Sequence, residues 1–139
     1  MPLTISRRFT FDAVHCLERH QGKCSRYHGH TYILEVTVAG TPENDDIWRE
    51  QGFFLDLGGL KAIVNQELDL RWDHHDLNKT IDTYPTAERL IHRLWRILER
   101  EFREQAACQL IHLRLHETPN SWVEYDGHDS TYDHRTGDL

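Results

Sequence analysis

No stretch of this sequence approaches the about 20 apolar residues that a membrane-spanning helix requires. Cations are in the minority. Sixteen Lys and Arg stand against 23 Asp and Glu, a formal net charge of −7. Phosphate contacts need clustered Lys and Arg, so neither a membrane nor a nucleic acid is expected as a partner. The three cysteines, Cys16, Cys24 and Cys108, are an odd number without framework spacing and read as reduced thiols in a cytoplasmic protein. The opening MPLTISRRFTF has no signal-peptide core. Internal repeats and low-complexity linkers are missing too. Disorder does not fit 38% hydrophobic and 28% charged residues. The 139 residues are expected to form one domain over 1–127, with a polar tail over 128–139.

What the chain does have is histidine, 11 of them, scattered rather than run together. From Thr4 to His15 the residues alternate: Ile5, Phe9, Phe11, Ala13 and His15 share one parity, with Arg7 the exception. This predicts a strand whose inner face ends in a histidine. Residues 16–27 read as a loop. His28, His30, Tyr32, Leu34, Val36 and Val38 then predict a second strand that opens on two histidines. Antiparallel pairing of the two would bring His15, His28 and His30 together. GTPENDD reads as a turn or loop and GFFLDL as a short strand or strand edge. Leu60, Ile63, Val64, Glu67 and Leu68 fall at helical spacing. RWDHHDLNKTIDTYP reads as a polar connection. A second helix starts at Pro85 and Thr86, its stripe Leu90, Ile91, Leu94, Trp95, Leu98 and Phe102. Ile111, Leu113, Leu115 and Glu117 share the face of a further strand, and WVEYDG reads as the last. The expected class is α+β, a four-stranded antiparallel sheet with two helices on one face. The other face is expected to carry Val, Tyr and Phe into water, which argues for a homo-oligomer.

Three neutral imidazoles suit zinc and leave a fourth position open, the pattern of catalytic rather than structural sites. Cys24, four residues before His28, can be a fourth ligand or a thiolate acting on substrate, and spacing does not decide between them. Asp73 beside His74 fits a carboxylate that orients a proton-moving imidazole; a polar turn is the plainer reading. Glu117 ends an apolar face, where it needs a donor: a guanidine-like ligand edge, or a structural Arg.

In order along the chain stand F-x-A-x-H at Phe11 to His15, C-x3-H-G-H at Cys24 to His30, D-H-H-x-L-N at Asp73 to Asn78, P-T-x-E at Pro85 to Glu88, and H-E-T at His116 to Thr118. Each is weak alone; the ordered set resembles the 6-pyruvoyltetrahydropterin synthase superfamily. The three-residue gap from Cys24 to His28 is similar to that of bacterial 6-carboxytetrahydropterin synthases of queuosine biosynthesis, the animal pyruvoyl enzymes having a longer gap. The resemblance implies a tunnelling fold (T-fold) whose trimers close strands into a barrel and stack as hexamers, with sites between subunits. It implies zinc on His15, His28 and His30, Cys24 as general base, His74 as relay oriented by Asp73, and Glu117 on the pterin amidine edge. Thr86 and Glu88 of P-T-x-E would bind substrate. The implied reaction takes 7,8-dihydroneopterin triphosphate to 6-carboxytetrahydropterin, acetaldehyde and triphosphate, with Lys23, Arg26 and Lys79 as candidate phosphate contacts. Trp72 stands where the family pattern has an aliphatic residue, Ala87 where it has serine and Tyr84 where it has asparagine. The alternatives are a pyruvoyl-forming or related pterin side-chain lyase, a non-catalytic zinc- or pterin-binding module, and a structural Cys/His3 zinc protein.

Overall fold

The structure, a computed structural model, describes residues 3–128. The expected tail, apart from His128, lies outside the described residues. In chain order the elements are β1 (Thr4–His15), β2 (His28–Ala39), α1 (Asp45–Gln51), α2 (Leu57–Arg71), β3 (His75–Asp76), α3 (Leu77–Thr80), α4 (Ala87–Ala106), β4 (Gln109–Thr118) and β5 (Ser121–Tyr125). The sheet order is β3-β1-β2-β4-β5. β1 and β2 pair antiparallel from Thr4 opposite Ala39 to His15 opposite His28. Strict alternation puts Phe9, Phe11, Ala13, Tyr32, Leu34, Val36 and Val38 on one buried face. A one-residue slip would turn that whole set into water, so the register is tightly specified.

α2 and α4 cover this face, as their spacing predicts. Leu60, Ile63, Val64 and Leu68 of α2, and Leu90, Leu94, Leu98 and Phe102 of α4, are all buried. The Thr86 side chain accepts from the backbone N–H of Arg89 and caps α4, while Pro85 sits just outside the helix. Trp72 fills the core edge-on to Phe11, with ring centroids 6.0 Å apart. Its indole N–H donates to Glu67 at 3.0 Å, and Arg71 grips the same carboxylate at 2.8 and 2.6 Å. The large side chain at position 72 therefore brings with it a partner for its one polar atom.

Several sequence expectations change. The sheet has five strands, not four, and is mixed: β3 lies parallel to β1 through Ala13–His75 and Val14–Asp76. GFFLDL is not a strand, since β1 and β4 already occupy both edges of β2. Phe54 instead packs over Gly40, where an added Cβ would come within 3.0 Å of its ring. GTPENDD contains a 3-10 turn at Pro42–Asn44 and the start of α1. RWDHHDLNKTIDTYP contains β3 and α3. In β4 the register shifts between Thr37 and Val38 of β2, so that Thr37 faces His112 and Val38 faces Leu110. Ile111 is the extra residue of this bulge, and Leu110 takes its place in the core.

The face away from the helices is not the apolar surface that the sequence suggests. Tyr32, Val36, Val38 and Phe9 all turn inward. The outer face carries a row of alternating charge in direct cross-strand register: Arg8 opposite Glu35, Glu35 opposite Arg114, Arg114 opposite Glu124. The contacts along it are 2.7, 3.4 and 3.1 Å. No helix among the described residues is long and apolar enough to cross a membrane.

Candidate metal centre

His15 and His28 are directly opposed across the β1–β2 pair, and His30 follows two residues on along the same face. Their ring centroids lie 4.6, 5.1 and 4.8 Å apart, and one ligand nitrogen from each lies within 4.8 Å of the others. His15 is fully buried. Its Nδ1–H donates to the Pro85 carbonyl at 2.8 Å, and the Nδ1–H of His28 donates to the Arg26 carbonyl at 2.7 Å. A carbonyl can only accept, so each neutral ring carries its proton on Nδ1 and its lone pair on Nε2. The two Nε2 atoms face each other at 3.0 Å. Two lone pairs at that distance repel unless a proton or a cation lies between them. The Nε2 of His30 is buried with no hydrogen-bond partner. Tetrahedral zinc at about 2.0–2.1 Å from imidazole nitrogen would hold such atoms about 3.3 Å apart. The donor set, the outward carbonyl bonds and the orphaned nitrogen fit a metal ion.

Burial opposes protonation of His15 and His30. Burial pushes His15 below the ordinary imidazole range, against the raising effects of the Pro85 hydrogen bond and of Glu117. Burial likewise lowers His30; Glu117 opposes this, while the other two imidazoles add to it. Glu117 Oε1 lies 4.0 Å from His30 Nε2, on the bulge of β4 where the β5 register shifts between His116 and Thr118.

Cys24 lies in a 3-10 turn, Lys23–Ser25, partly exposed. Its sulfur is not among the ligand atoms grouped with the three imidazoles. Asp73 and His74 form their own group with Asp12. His74 Nδ1 is 3.0 Å from Asp73 Oδ1, which also accepts from the Asp12 N–H at 3.0 Å. That backbone bond, ahead of His74, holds Asp73 below the usual carboxylate range. The His74 side chain is 78% exposed and lines a groove of about 440 Å³ with Asp12, Val14, Gly29 and Thr31, of opposite parity to the three histidines, and with Ala13 and His30 of their parity. The Asp12 carboxylate that groups with the dyad is exposed and of opposite parity to buried His15, which sets the dyad toward the outer side of the sheet. Thr86 is engaged as the α4 cap, and Glu88 is exposed in the first turn of that helix.

Four contributors escaped the sequence reading. The Pro85 and Arg26 carbonyls fix the imidazole tautomers, and a backbone oxygen leaves no mark in residue type. Asp12 holds the dyad through its backbone as well, its carbonyl accepting from the His74 N–H at 2.6 Å. Tyr32 follows His30 on the inner face, and its buried hydroxyl has no partner. Burial, with the Glu117 charge adding to it, pushes that phenol up. Inward parity beside the histidines was the available signal.

Residues 4–128 match the family model described as 6-pyruvoyl tetrahydropterin synthase. A 6-carboxy-5,6,7,8-tetrahydropterin synthase of Rickettsia typhi is 31% identical over 139 residues, covering 86% of this chain and 96% of the relative. A 6-pyruvoyl tetrahydrobiopterin synthase of Drosophila melanogaster is 30% identical over 139 residues, covering 88% and 79%. Among solved structures, the 6-pyruvoyl tetrahydropterin synthase of Caenorhabditis elegans superposes with a TM-score of 0.73 at 25% identity, over 91% of this chain and 96% of that one.

Proposed function

This chain belongs to the 6-pyruvoyl tetrahydropterin synthase family, and on that footing we propose that it is a zinc-dependent lyase. It converts 7,8-dihydroneopterin triphosphate and one water to 6-carboxy-5,6,7,8-tetrahydropterin, acetaldehyde and triphosphate, a step toward 7-deazaguanines such as queuosine. The observation that carries the reading is the three-imidazole cluster, in which one ligand nitrogen from each ring converges while the Cys24 sulfur stands outside the group. A three-ligand set of this kind leaves a position for substrate. The Cys24–His28 spacing and relatives such as the Rickettsia enzyme favour the carboxy product.

When bound, zinc supplies Lewis acidity that acidifies the hydroxyls of the pterin side chain. His15, His28 and His30 would hold it, the Nδ1 hydrogen bonds of His15 and His28 turning their Nε2 lone pairs inward and burial opposing protonation of His15 and His30. Cys24, as thiolate, removes a proton from a side-chain carbon of the substrate. His74 moves a proton on the other face through its Nε2, with Nδ1–H donating to Asp73. Glu117 takes the amino and ring N–H of the pterin edge in paired hydrogen bonds. Thr86 and Glu88 border the substrate, and Lys23, Arg26 and Lys79 supply charge for the triphosphate. Because the dyad stands with the outward Asp12 carboxylate, away from the imidazoles of its own chain, one reaction site in this reading uses the imidazoles and Cys24 of one subunit and the dyad of another. This supports a homo-oligomer, a hexamer in our reading, with sites between subunits.

The test is product analysis by mass spectrometry after incubating zinc-loaded protein with dihydroneopterin triphosphate. The carboxy product with stoichiometric acetaldehyde is expected. A 6-pyruvoyl product with no acetaldehyde would establish the second reading, to which the similarity of the Drosophila enzyme points. Tight pterin binding without turnover would show a binding module instead.

A further inference from the structure

The loop 16–27 joins His15 to His28 and carries Cys24, and both of its ends are held by one short segment, residues 76–78. Asn78 makes a two-bond clamp on the backbone of Cys16. Its Oδ1 accepts from the Cys16 N–H at 2.8 Å, and its Nδ2 donates to the Cys16 carbonyl at 3.0 Å. At the other end of the loop the Tyr27 side chain hydrogen-bonds to Asp76. Asp76 in turn caps α3 by accepting from the Asn78 N–H at 3.0 Å. Within the loop, the Leu17 N–H donates to the Cys24 carbonyl at 2.7 Å. The path from the Asn78 amide to the Cys24 turn therefore runs through Cys16, Leu17 and one backbone hydrogen bond. In the other direction Cys16 is bonded directly to His15. Farther along, Tyr84 accepts from the Arg19 N–H at 3.0 Å, and the Arg19 guanidinium lies 4.4 Å over its ring.

We propose that Asn78 is a positioning residue that sets the Cys24 thiol relative to the three imidazoles by clamping the Cys16 backbone. An amide suits this task because it presents one acceptor and one donor side by side, the complement of a peptide N–H and C=O on one residue. Neither Asp nor Leu has both. The clamp thus imitates the pairing of an adjacent strand where the sheet has ended. The inference rests on the reading of Cys24 as a base beside a metal, and it adds a residue that does not itself touch substrate.

The experiment compares Asn78→Asp, which keeps the shape and the acceptor, with Asn78→Ala, which loses both bonds. Three readouts are taken: the visible spectrum of the cobalt(II)-substituted protein, the iodoacetamide alkylation rate of Cys24 followed by peptide mass, and kcat and KM separately. Removal of such outer partners typically lowers metal affinity or activity about 10–100-fold. A fall in kcat of that order is expected for Asn78→Ala with KM little changed, together with an altered cobalt spectrum and a changed Cys24 alkylation rate. Asn78→Asp is expected between Ala and the parent. Wild-type spectra, alkylation and kcat in variants that merely melt at lower temperature would overturn the proposal. Alkylation of the metal-free protein needs neither zinc nor pterin. A parent protein that fails to turn over would therefore sink the assigned reaction, while the clamp would still be judged by alkylation. Should Asn78→Ala fail to fold, the same three readouts on the Asp variant decide the question.

Discussion

Replacing Cys24 with Ala distinguishes an open metal site from a closed one. The substitution removes a partly exposed sulfur from a 3-10 turn. The backbone bond from Leu17 N–H to the Cys24 carbonyl, 2.7 Å long, does not involve the side chain and survives. The lost burial amounts to less than about 1 kcal/mol, the scale of one methylene-sized group. The metal keeps all three imidazoles, and zinc content should match the parent after dialysis against a weak chelator. Loss of a general base typically lowers the rate about 10²–10⁴-fold. At 1.36 kcal/mol per decade this raises the barrier by about 3–5 kcal/mol. The assay measures zinc by elemental analysis and turnover by product formation on one sample, because activity alone falls in either case. Full zinc with turnover lowered by that order is the expected result. Zinc lost in parallel with turnover would make Cys24 a ligand and refute the argument from the cluster's geometry.

Three further outcomes follow from the same contacts. His28→Ala removes one of the two Nε2 atoms that face each other at 3.0 Å, so zinc and activity should be lost together; full zinc occupancy in that variant would defeat the ligand set. In metal-free protein the lowered His15 and His30 pKa values mean that the unfolded chain binds protons more readily. Their contribution should be fully present above about pH 6.5 and fall away as the pH drops toward the lowered folded values, visible as a falling urea midpoint; a rising one would contradict the sign. Gly127 has φ +86, and a Cβ there would lie 2.3 Å from Trp95 Cζ2, so Gly127→Ala should lower the melting temperature, the strained backbone alone costing about 1–3 kcal/mol; an unchanged Tm would show that Trp95 yields freely.

The parts of the fold visible in the sequence are those in which period and burial coincide. β1, β2 and the α4 stripe alternate or recur without interruption, and the convergence of His15, His28 and His30 followed from strand parity alone. β3 was invisible because two residues carry no period. Ile111 misled because a bulge adds one residue and moves Leu110 into its place. Phe54 looked like part of a strand, since burial by a loop and burial by a sheet give the same residue type. For the outer face the error was one of side: β-branched and aromatic residues were assigned to water when alternation sends them to the helices. The separation of the Asp73–His74 dyad from the imidazoles depends on which face of the sheet each occupies. Loop residues 72–74 have no parity from which to read that.

The charge row Arg8–Glu35–Arg114–Glu124 has a direction. It begins with a cation on β1, whose outer edge is paired by β3 only at Ala13 and Val14, and ends with an anion on the edge strand β5. Two copies meeting β1 to β1 at this row would oppose two guanidinium groups, and two meeting β5 to β5 would oppose two carboxylates. Only unlike edges continue the alternation. Exposed pairs of this kind contribute little to affinity but discriminate well between orientations. The row therefore acts as a polarity mark on the sheet, favouring head-to-tail addition over mirror-like pairing. Head-to-tail contacts that repeat through a fixed rotation either close into a ring or run on as a filament.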